Sequence, residues 1–339
     1  MDTEFHYWTT GLIAHRAGFS KKESEIIAYS SEYVDENDVS FQVKNKQKGG
    51  LYCNHISQTM NILKPKTELM RIYPVFHFIP GEPDASTARR RDGKMHLLNT
   101  TPNSENANEI IGAAFKAPED TRLYRIGIAS HSYVDTWAHQ NFVGWYDYFN
   151  NIGLDIKPDI GHADAEHHPD WMGHVWVDNR LVDGDVSNKL RFLSASKELF
   201  HKYCSYIKKQ KNKDNCPEWE KLEKELIEMM EPTFTGDRNR HKDKRIAGYK
   251  NALDWLSDFD DRKWFDAAIK TKVRGKKDSH EGIRANFTIF QDEYYWRNEL
   301  NKDETDWFKF QGAVREHEKF ALKLLAPTFR KMGIDLSVA

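Results

Sequence analysis

The spacing of apolar residues predicts helices along most of the chain, and the clearest helix covers about residues 123–143. Its apolar side chains recur at intervals that place them on or near one face of a helix; they are Leu123, Ile126, Tyr133, Val134 and Trp137. Pro118, Glu119 and Asp120 are typical of a first helical turn, and Gly144 is typical of a residue that ends a helix. We therefore expect this helix to pack at the centre of the fold.

Similar patterns predict further helices on both sides of the central one. Residues 3–18 form a short helix, and Ser20 with Glu23 is a capping box that opens a second helix ending near residues 35–38. The second half of the chain has helical patterns over 189–208, 218–230, 244–259, 263–272 and 303–325. Short β-like runs are limited to 38–43 and 69–76.

These patterns together predict an all-α fold, a multi-helix globular bundle with few or no strands. Nothing in the sequence divides the chain clearly, so we expect a single domain over residues 1–339. Polar stretches at 208–213 and 237–245 indicate a possible helical insertion or extension at about 205–250.

Composition excludes several classes of protein. Of 339 residues, 13% are aromatic, which argues against extensive disorder. The 50 basic and 52 acidic residues leave a net charge of −2, which predicts a mixed surface rather than one that coats polyanions. Cys53, Cys204 and Cys216 are widely separated and predict neither a disulfide framework nor a thiolate zinc site. With no secretory signal pattern and no apolar run of membrane-spanning length, we expect a soluble, cytoplasmic protein.

The polar side of the central helix carries the most informative chemistry. His131, Asp135 and His139 follow one another at four-residue steps, each of which turns only about 40° around the helix axis. A carboxylate buried between two imidazoles requires positive compensation, and a divalent cation provides it most completely. A hydrogen-bonded polar network on a packed helix is the alternative interpretation of the same spacing.

Other candidate ligands flank this helix on both sides. His6 lies near the N-terminus among aromatic residues, and Asp35 lies at the end of the second helix, where the helix dipole disfavours a carboxylate without a cationic partner. His162 and Glu166 form a second histidine and carboxylate pair in a histidine-rich segment. His55 and His77 lie between these regions, and the apolar neighbours of His77 predict that its ring is buried.

Three consecutive arginines, Arg89, Arg90 and Arg91, are candidates for substrate binding. Guanidinium groups beside a metal centre can hold a phosphate through forked hydrogen bonds. A solvated surface loop is the alternative interpretation of the same run.

Taken in chain order, these histidines and carboxylates resemble the ligands of the zinc-dependent phospholipase C and single-strand nuclease superfamily. The resemblance covers residues 6–166, and local motifs such as Phe-His-Phe-x-Pro-Gly also resemble a group of uncharacterised bacterial proteins. It implies an all-helical fold that holds two or three Zn²⁺ ions in a cleft. It further implies one metal held by Asp35, His55 or His77, His131 and Asp135, a second held by His139, His162 and Glu166, and a third position near His6 and Asp135. In that family the N-terminal amine also binds metal; here the different interval between Met1 and His6 argues against a third ion.

We derive two functional hypotheses of different classes. The first is a metal-dependent phosphoesterase acting on a phosphodiester, with a nucleotide or nucleic acid ranked above a phospholipid. In it, Asp135 is the primary or bridging ligand and Asp35 also orients the attacking water. The second is a non-enzymatic helical binding or assembly protein with a structural metal or a purely structural histidine network. The chain contains no His-Asp dipeptide and no HExxH, GxSxG or GxGxxG motif, which disfavours other common hydrolase and nucleotide-binding types.

Overall fold

The computed structural model describes residues 1–47, 49–61, 64, 66–153, 157–211, 217–273 and 292–336. About half of the chain is helical. The described α-helices are α1 Thr10–Ala17, α2 Lys21–Glu36, α3 Lys66–Ile72, α4 Glu105–Ala114, α5 Arg122–Ala138, α6 Asn188–Lys211, α7 Trp219–Met229, α8 Lys242–Ala252, α9 Lys263–Ala268 and α10 Asp306–Lys331.

The central helix is α5, which packs against α2, α4, α6 and α10. Nearly all of its residues are buried. It ends at Ala138, several residues before the predicted end at Gly144, because Asn141 adopts a left-handed conformation (φ 69°) and donates its N–H to the carbonyl of Thr100. The guanidinium of Arg191 donates to the last carbonyls of α5, those of Trp137 and Ala138, which satisfies the helix end.

A glycine allows α2 and α5 to approach each other closely. A Cβ atom added at Gly127 would lie 2.4 Å from the Cβ of Ser30 and 2.5 Å from the carbonyl oxygen of Ile27. The start of α2 is fixed by the predicted capping box, in which Ser20 and Glu23 bond each other's backbone N–H. The close contact between these helices brings the end of α2 beside the polar side of α5.

Short strands make the fold α-rich rather than strictly all-α. Within the described residues there are eight, namely β1 Gln42–Lys44, β2 Leu51–Cys53, β3 Tyr146–Asp147, β4 Asp159–Ile160, β5 Val175–Val177, β6 Asp185–Ser187, β7 Ile269–Lys272 and β8 Glu293–Trp296. β2, β1, β8 and β7 form a sheet in that order, with β1 and β8 parallel, and the other strands form two antiparallel pairs.

Three local predictions need correction. The helix predicted over 244–259 ends at Ala252. The β-like run at 69–76 is helical, since it belongs to α3 and to a π-helical turn at Tyr73–His77. The helix predicted over 263–272 ends at Ala268, and its second part is β7 because Ile269 pairs with Trp296 of β8.

One main hydrophobic cluster includes residues from both halves of the chain. α7 contributes Leu222 and Leu226, and α8 contributes Tyr249, so both helices pack onto the same core as α1 and α5. Cys204 is disulfide-bonded, contrary to the expectation from cysteine spacing, and Cys216 lies outside the described residues. In the described part of the chain, no helix combines the length and the apolar character needed to cross a membrane.

Candidate metal centre

Five parts of the chain, one of which is α5 itself, bring histidine and aspartate side chains together. They are the N-terminal segment, the end of α2, the turn Tyr73–His77, α5 with the residue that follows it, and the turn-rich segment 161–171. Three groups of potential ligand atoms result, and within each group the atoms lie within 4.8 Å of one another: His6, Asp35 and His131; His77, His131 and Asp135; and His139, His162 and Asp170.

Two of these histidines are presented by π-helical turns. His6 lies in Glu4–Thr9, directly before α1, and His77 ends the turn Tyr73–His77, which follows α3 and contains Pro74. A π-helical turn changes the direction of the side chains that follow it and is frequent at functional sites. The two turns therefore direct both rings inward. One turn leads into α1, and the other follows α3.

His77, His131 and Asp135 form the most deeply buried group. His131 Nε2 lies 3.1 Å from His77 Nδ1 and 3.2 Å from Asp135 Oδ2. Asp35 Oδ1 lies 3.5 Å from His77 Nδ1 and 3.7 Å from His131 Nε2. The ring of His6 stacks on that of His131 with centroids 3.8 Å apart, and its Nε2 lies 3.1 Å from Asp135 Oδ1.

Backbone hydrogen bonds fix which ring nitrogens face this group. His131 donates its Nδ1–H to the carbonyl of Ser31 at 2.8 Å, and His77 donates its Nε2–H to the carbonyl of Ser57 at 3.0 Å. In the neutral rings, His131 Nε2 and His77 Nδ1 are then both lone-pair nitrogens, and they face each other across 3.1 Å. Two facing lone pairs beside carboxylates repel one another unless a proton or a metal ion lies between them.

A second group lies beside the first. His139 donates its Nδ1–H to the carbonyl of His77 at 2.7 Å and presents Nε2 to Asp170 Oδ1 at 3.2 Å. His162 donates its Nδ1–H to the carbonyl of Glu166 at 2.7 Å, and its Nε2 lies 3.5 Å from Asp170 Oδ2. The backbone hydrogen bonds again orient the inward nitrogens as histidine ligands of metals are usually oriented.

The α-amino group of Met1 lies between the two groups. Its nitrogen is 2.6 Å from Asp135 Oδ1 and 3.4 Å from Asp170 Oδ1, and it is fully buried. Burial disfavours its charge, but Asp135, Asp170 and Asp35 outweigh that effect and raise the pKa of the amine to about 11. The interval between Met1 and His6 argued against a third ion; the structure places the amine itself beside Asp135 and Asp170.

The titration behaviour of the buried groups suits a cation site. The surrounding imidazoles and the amine outweigh burial and hold the pKa of Asp135 and Asp170 well below the usual range. Burial lowers the pKa of His6 to about 3 and that of His162 to about 4, so both rings are neutral at pH 7. Burial opposes protonation of His77 as well, but Asp135 and Asp35 outweigh it and raise the pKa of this ring.

The donor set fits divalent ions. Within the described residues, Asp135 Oδ2 and both ring nitrogens of His6 are buried and complete no hydrogen bond. Neutral imidazoles together with carboxylates form the ligand set that Zn²⁺ and related ions prefer. The groups are also partly open, because the side chain of Asp35 is 30% exposed and that of His162 is 19% exposed. A ligand could therefore reach the site from solvent.

The structure does not bring two of the candidate ligands to this site. His55 instead contacts Glu318 through its Nε2, and Arg71 donates to the same carboxylate. Glu166 has an exposed side chain and a left-handed backbone conformation (φ 48°), and only its carbonyl contributes, as the acceptor for His162. The carboxylate beside His139 and His162 is that of Asp170.

Asp170 is the ligand candidate that sequence reasoning missed. Glu166 was chosen because it follows His162 by four residues, a spacing that places two side chains together only in a helix. Residues 161–171 form turns, so this spacing rule does not apply to them. The useful sequence feature was a carboxylate at the end of a histidine-rich segment, directly before Trp171.

The three arginines do not form one phosphate site. Arg90 is buried, stacks over the ring of Phe149 at 4.1 Å and donates to the Phe149 carbonyl. Arg91 donates its Nε–H to the carbonyl of Leu181. Arg89 is exposed and lines a cavity of about 420 Å³ that Arg191 and Gln140, the residue after His139, also line. Arg90 is therefore held by the Phe149 loop, whereas Arg89 and Arg91 are exposed and Arg89 lines the cavity.

Comparison with known proteins gives a family and no activity. No curated protein and no solved structure matches the chain. The model of a family of unknown function, DUF6765, matches residues 1–325, which include every residue of the candidate metal centre. The chain therefore belongs to the DUF6765 family.

Proposed function

We propose that this protein is a metal-dependent hydrolase that cleaves a phosphodiester. The observation that carries the proposal is the presence of two neighbouring ligand groups, one around Asp135 and one around Asp170, in a partly exposed site. Because one nitrogen atom lies within 3.4 Å of both carboxylates, the two groups are close enough to act on one substrate. The same ligand order supports a relationship to the zinc-dependent phospholipase C and single-strand nuclease superfamily.

The charge of the site supports an anionic substrate. Three carboxylates belong to it, those of Asp35, Asp135 and Asp170, and the histidines are neutral ligands. Two divalent ions would outweigh these three negative charges, and the protonated Met1 amine adds a further positive charge, which suits the negative charge of a phosphodiester. The imidazole-rich donor set favours Zn²⁺ among these ions.

The groups on the exposed side of the site are polar, which supports a nucleotide or nucleic acid ahead of a phospholipid. They are Asp35, His162 and Gln58, whose Nε2 lies 3.5 Å from Asp35 Oδ1. Polar groups of this kind suit ribose and phosphate oxygens better than acyl chains. Arg89 is a further candidate contact for substrate phosphate.

Each protein group has a defined role in this proposal. Divalent ions at the site would lower the pKa of a coordinated water and neutralise charge that develops on the phosphoryl oxygens. Asp135 adjoins both groups, since its Oδ2 lies 3.2 Å from His131 Nε2 and its Oδ1 lies 2.6 Å from the Met1 nitrogen, which is 3.4 Å from Asp170 Oδ1. Asp35 is partly exposed, so its carboxylate can accept a hydrogen bond from the attacking water and orient it. The backbone carbonyls of Ser31, Ser57, His77 and Glu166 hold the histidine rings in the ligand orientation.

The test is hydrolysis of an aryl phosphodiester by protein that has been freed of metal with a chelator and then supplied with Zn²⁺. We expect activity to return with the metal and to fall by more than about 100-fold in Asp135→Asn, beyond the loss that an outer partner of a ligand causes. His55→Gln is the matched control and keeps activity. Parallel assays use a dinucleotide and a phospholipid vesicle.

Two results would contradict the proposal. One is a metal-loaded protein that hydrolyses none of these substrates. The other is a protein that binds one ion and unfolds when it is removed, which is the behaviour of a structural metal site.

A further inference from the structure

The N-terminal segment carries His6 and the Met1 amine into the metal centre, and α8 and the residue Asn239 before it contact that segment at several points. Asp2 Oδ2 accepts hydrogen bonds from Lys242 Nζ at 3.0 Å and from Asn239 Nδ2 at 3.2 Å. Thr9 donates its hydroxyl to Tyr249 at 2.8 Å. We call Asn239, Lys242, Arg245 and Tyr249 the α8 clamp.

The strongest of these contacts is a buried ion pair. Arg245 donates from Nε to Glu4 Oε1 at 2.7 Å and from Nη2 to Glu4 Oε2 at 3.0 Å, and both side chains are fully buried. The same guanidinium donates to the carbonyl of Arg240 and to Asn239 Oδ1, so it also orders the residues before α8. A paired, forked contact of this kind fixes both position and angle, which a lysine cannot do.

The ligands depend on the placement of this segment. Glu4 and His6 lie in the same π-helical turn, so a displacement of Glu4 also displaces the imidazole. The ring of His6 stacks on that of His131 at 3.8 Å, and its Nε2 lies 3.1 Å from Asp135 Oδ1. Metal ligands tolerate distance errors of only about 0.2 Å. The other ligand group, His139, His162 and Asp170, is held by different parts of the chain.

We propose that the α8 clamp is a positioning element of the metal centre: it sets the N-terminal segment and thereby the ion position that includes His6. Its effect on the position of His139, His162 and Asp170 is smaller, because the segment gives that position no side-chain ligand and approaches it with the Met1 amine, 3.4 Å from Asp170 Oδ1. This rests on the metal centre of the proposed function but not on hydrolysis. It gives a role to a region that the sequence marked as a possible insertion.

The test is a Co²⁺ titration of the metal-free protein, followed by visible absorption, for wild type, Arg245→Lys and Lys242→Met. We expect Arg245→Lys to weaken the ion position that includes His6 by about 10- to 100-fold, as loss of an outer partner of a ligand does, and to weaken the other position by a smaller factor. Lys242→Met should act in the same direction with a smaller effect, and because Lys242 is 39% exposed it should cost little stability.

Arg16→Lys is the matched control. Arg16 makes an equally forked contact with Glu225, at 2.9 and 2.7 Å, which joins α1 to α7 away from the ligands. It should leave both ion positions unchanged. The proposal would be overturned if the Co²⁺ affinity of the position that includes His6 were the same in wild type, Arg245→Lys and Lys242→Met. It would also be overturned if the variants weakened both positions by the same factor.

A second measurement does not require any metal. Long-range ¹H–¹⁵N spectra of the imidazoles in metal-free protein report the environment of each ring. Arg245→Lys should shift the His6 and His131 signals and leave those of His162 in place; unchanged His6 signals would overturn the proposal. Hydrolysis is measured separately, so an inactive protein with a working clamp would contradict only the proposed function.

Discussion

At the scale of single residues, the direction of each imidazole hydrogen bond determines which nitrogen faces the metal centre. His77, His131, His139 and His162 each donate one N–H to a backbone carbonyl and direct the other nitrogen inward. Packing alone does not explain four rings held in this way. A packed histidine needs hydrogen-bond partners for its ring nitrogens, and it gains no stability when its free nitrogen faces another lone pair.

This geometry predicts different outcomes for two histidines that the sequence could not separate. His77→Gln removes an inward nitrogen and should reduce the metal content of the purified protein, measured by elemental analysis. His55→Gln removes a contact with Glu318 and should leave the metal content unchanged. The reverse result would show that His55 is the ligand.

A second pair of variants separates Asp170 from Glu166. Asp170→Asn should lower the metal content by about one ion per chain, because Asp170 is the carboxylate between His139 and His162. Glu166→Gln keeps the carbonyl that accepts from His162 and should have no effect. Loss of an ion from Glu166→Gln alone would contradict this assignment.

The sequence predicted that the site consists of histidines and aspartates, but it identified only some of the individual residues. His131, Asp135 and His139 were found because helical spacing is regular, and the end of α2 drew attention to Asp35 because a carboxylate is unfavourable there. Asp170 and the Met1 amine were missed because no periodic rule connects residues in turns or at a chain end to a distant helix. Their positions depend on tertiary packing.

At the scale of elements, the approach of α2 to α5 determines the distance between Asp35 and His131. Gly127 permits this approach, and no side chain can occupy its position without moving Ser30 or the backbone at Ile27. The strands were largely missed because β1 and β2 have three residues each, too few for an alternating pattern, and because β1 pairs with β8 far along the chain.

Gly127→Ala should therefore destabilise the protein and weaken metal binding together. Overpacking at a close helix contact costs about 1–3 kcal/mol. Gly112→Ala in α4 is the control, since an added Cβ there meets nothing within 4 Å and alanine is favoured in helices by up to about 1 kcal/mol. Urea unfolding of the metal-free proteins measures the change in stability of each variant. A Gly127→Ala protein as stable as wild type would contradict the close contact between α2 and α5.

At the scale of the whole molecule, both halves of the chain build one site. α10 packs against α5, α8 holds the N-terminal segment, and one hydrophobic cluster includes residues of all three helices. The sequence predicted helical elements in the second half, but periodicity within a helix does not reveal which distant segment it contacts. The role of α8 therefore became visible only in the packed structure.

The buried histidines contribute a loss of stability in acid to the metal-free protein. Burial lowers the pKa of His6 and His162 to about 3 and 4, so at these positions the unfolded chain binds more protons between pH 6.5 and 4. His6 and His162 each cost about 2 kcal/mol at pH 5 relative to pH 7. Glu4 and Glu36, whose pKa values burial raises to about 7, act in the opposite direction, so the contribution of one histidine is measured by comparing its variant with wild type.

Thermal unfolding of the metal-free proteins between pH 7 and pH 5 measures this contribution. As the pH falls, the melting temperature of His6→Asn should rise relative to that of wild type, because the variant lacks one group that costs stability in acid. His241→Asn, at an exposed position with a left-handed backbone that asparagine tolerates, should show no such change relative to wild type. A difference between His6→Asn and wild type that stays constant from pH 7 to pH 5 would contradict the neutral state of the His6 ring.

The central claim is that these histidines and aspartates hold divalent ions, and elemental analysis of protein purified without chelator tests it most directly. We predict at least two ions per chain in the wild type, and the loss of most of this metal from Asp135→Asn, because Asp135 contacts His131 Nε2 of the first group and the Met1 nitrogen, which lies 3.4 Å from Asp170 of the second. A folded wild-type protein without bound metal, or an Asp135→Asn protein with the wild-type metal content, would contradict the account.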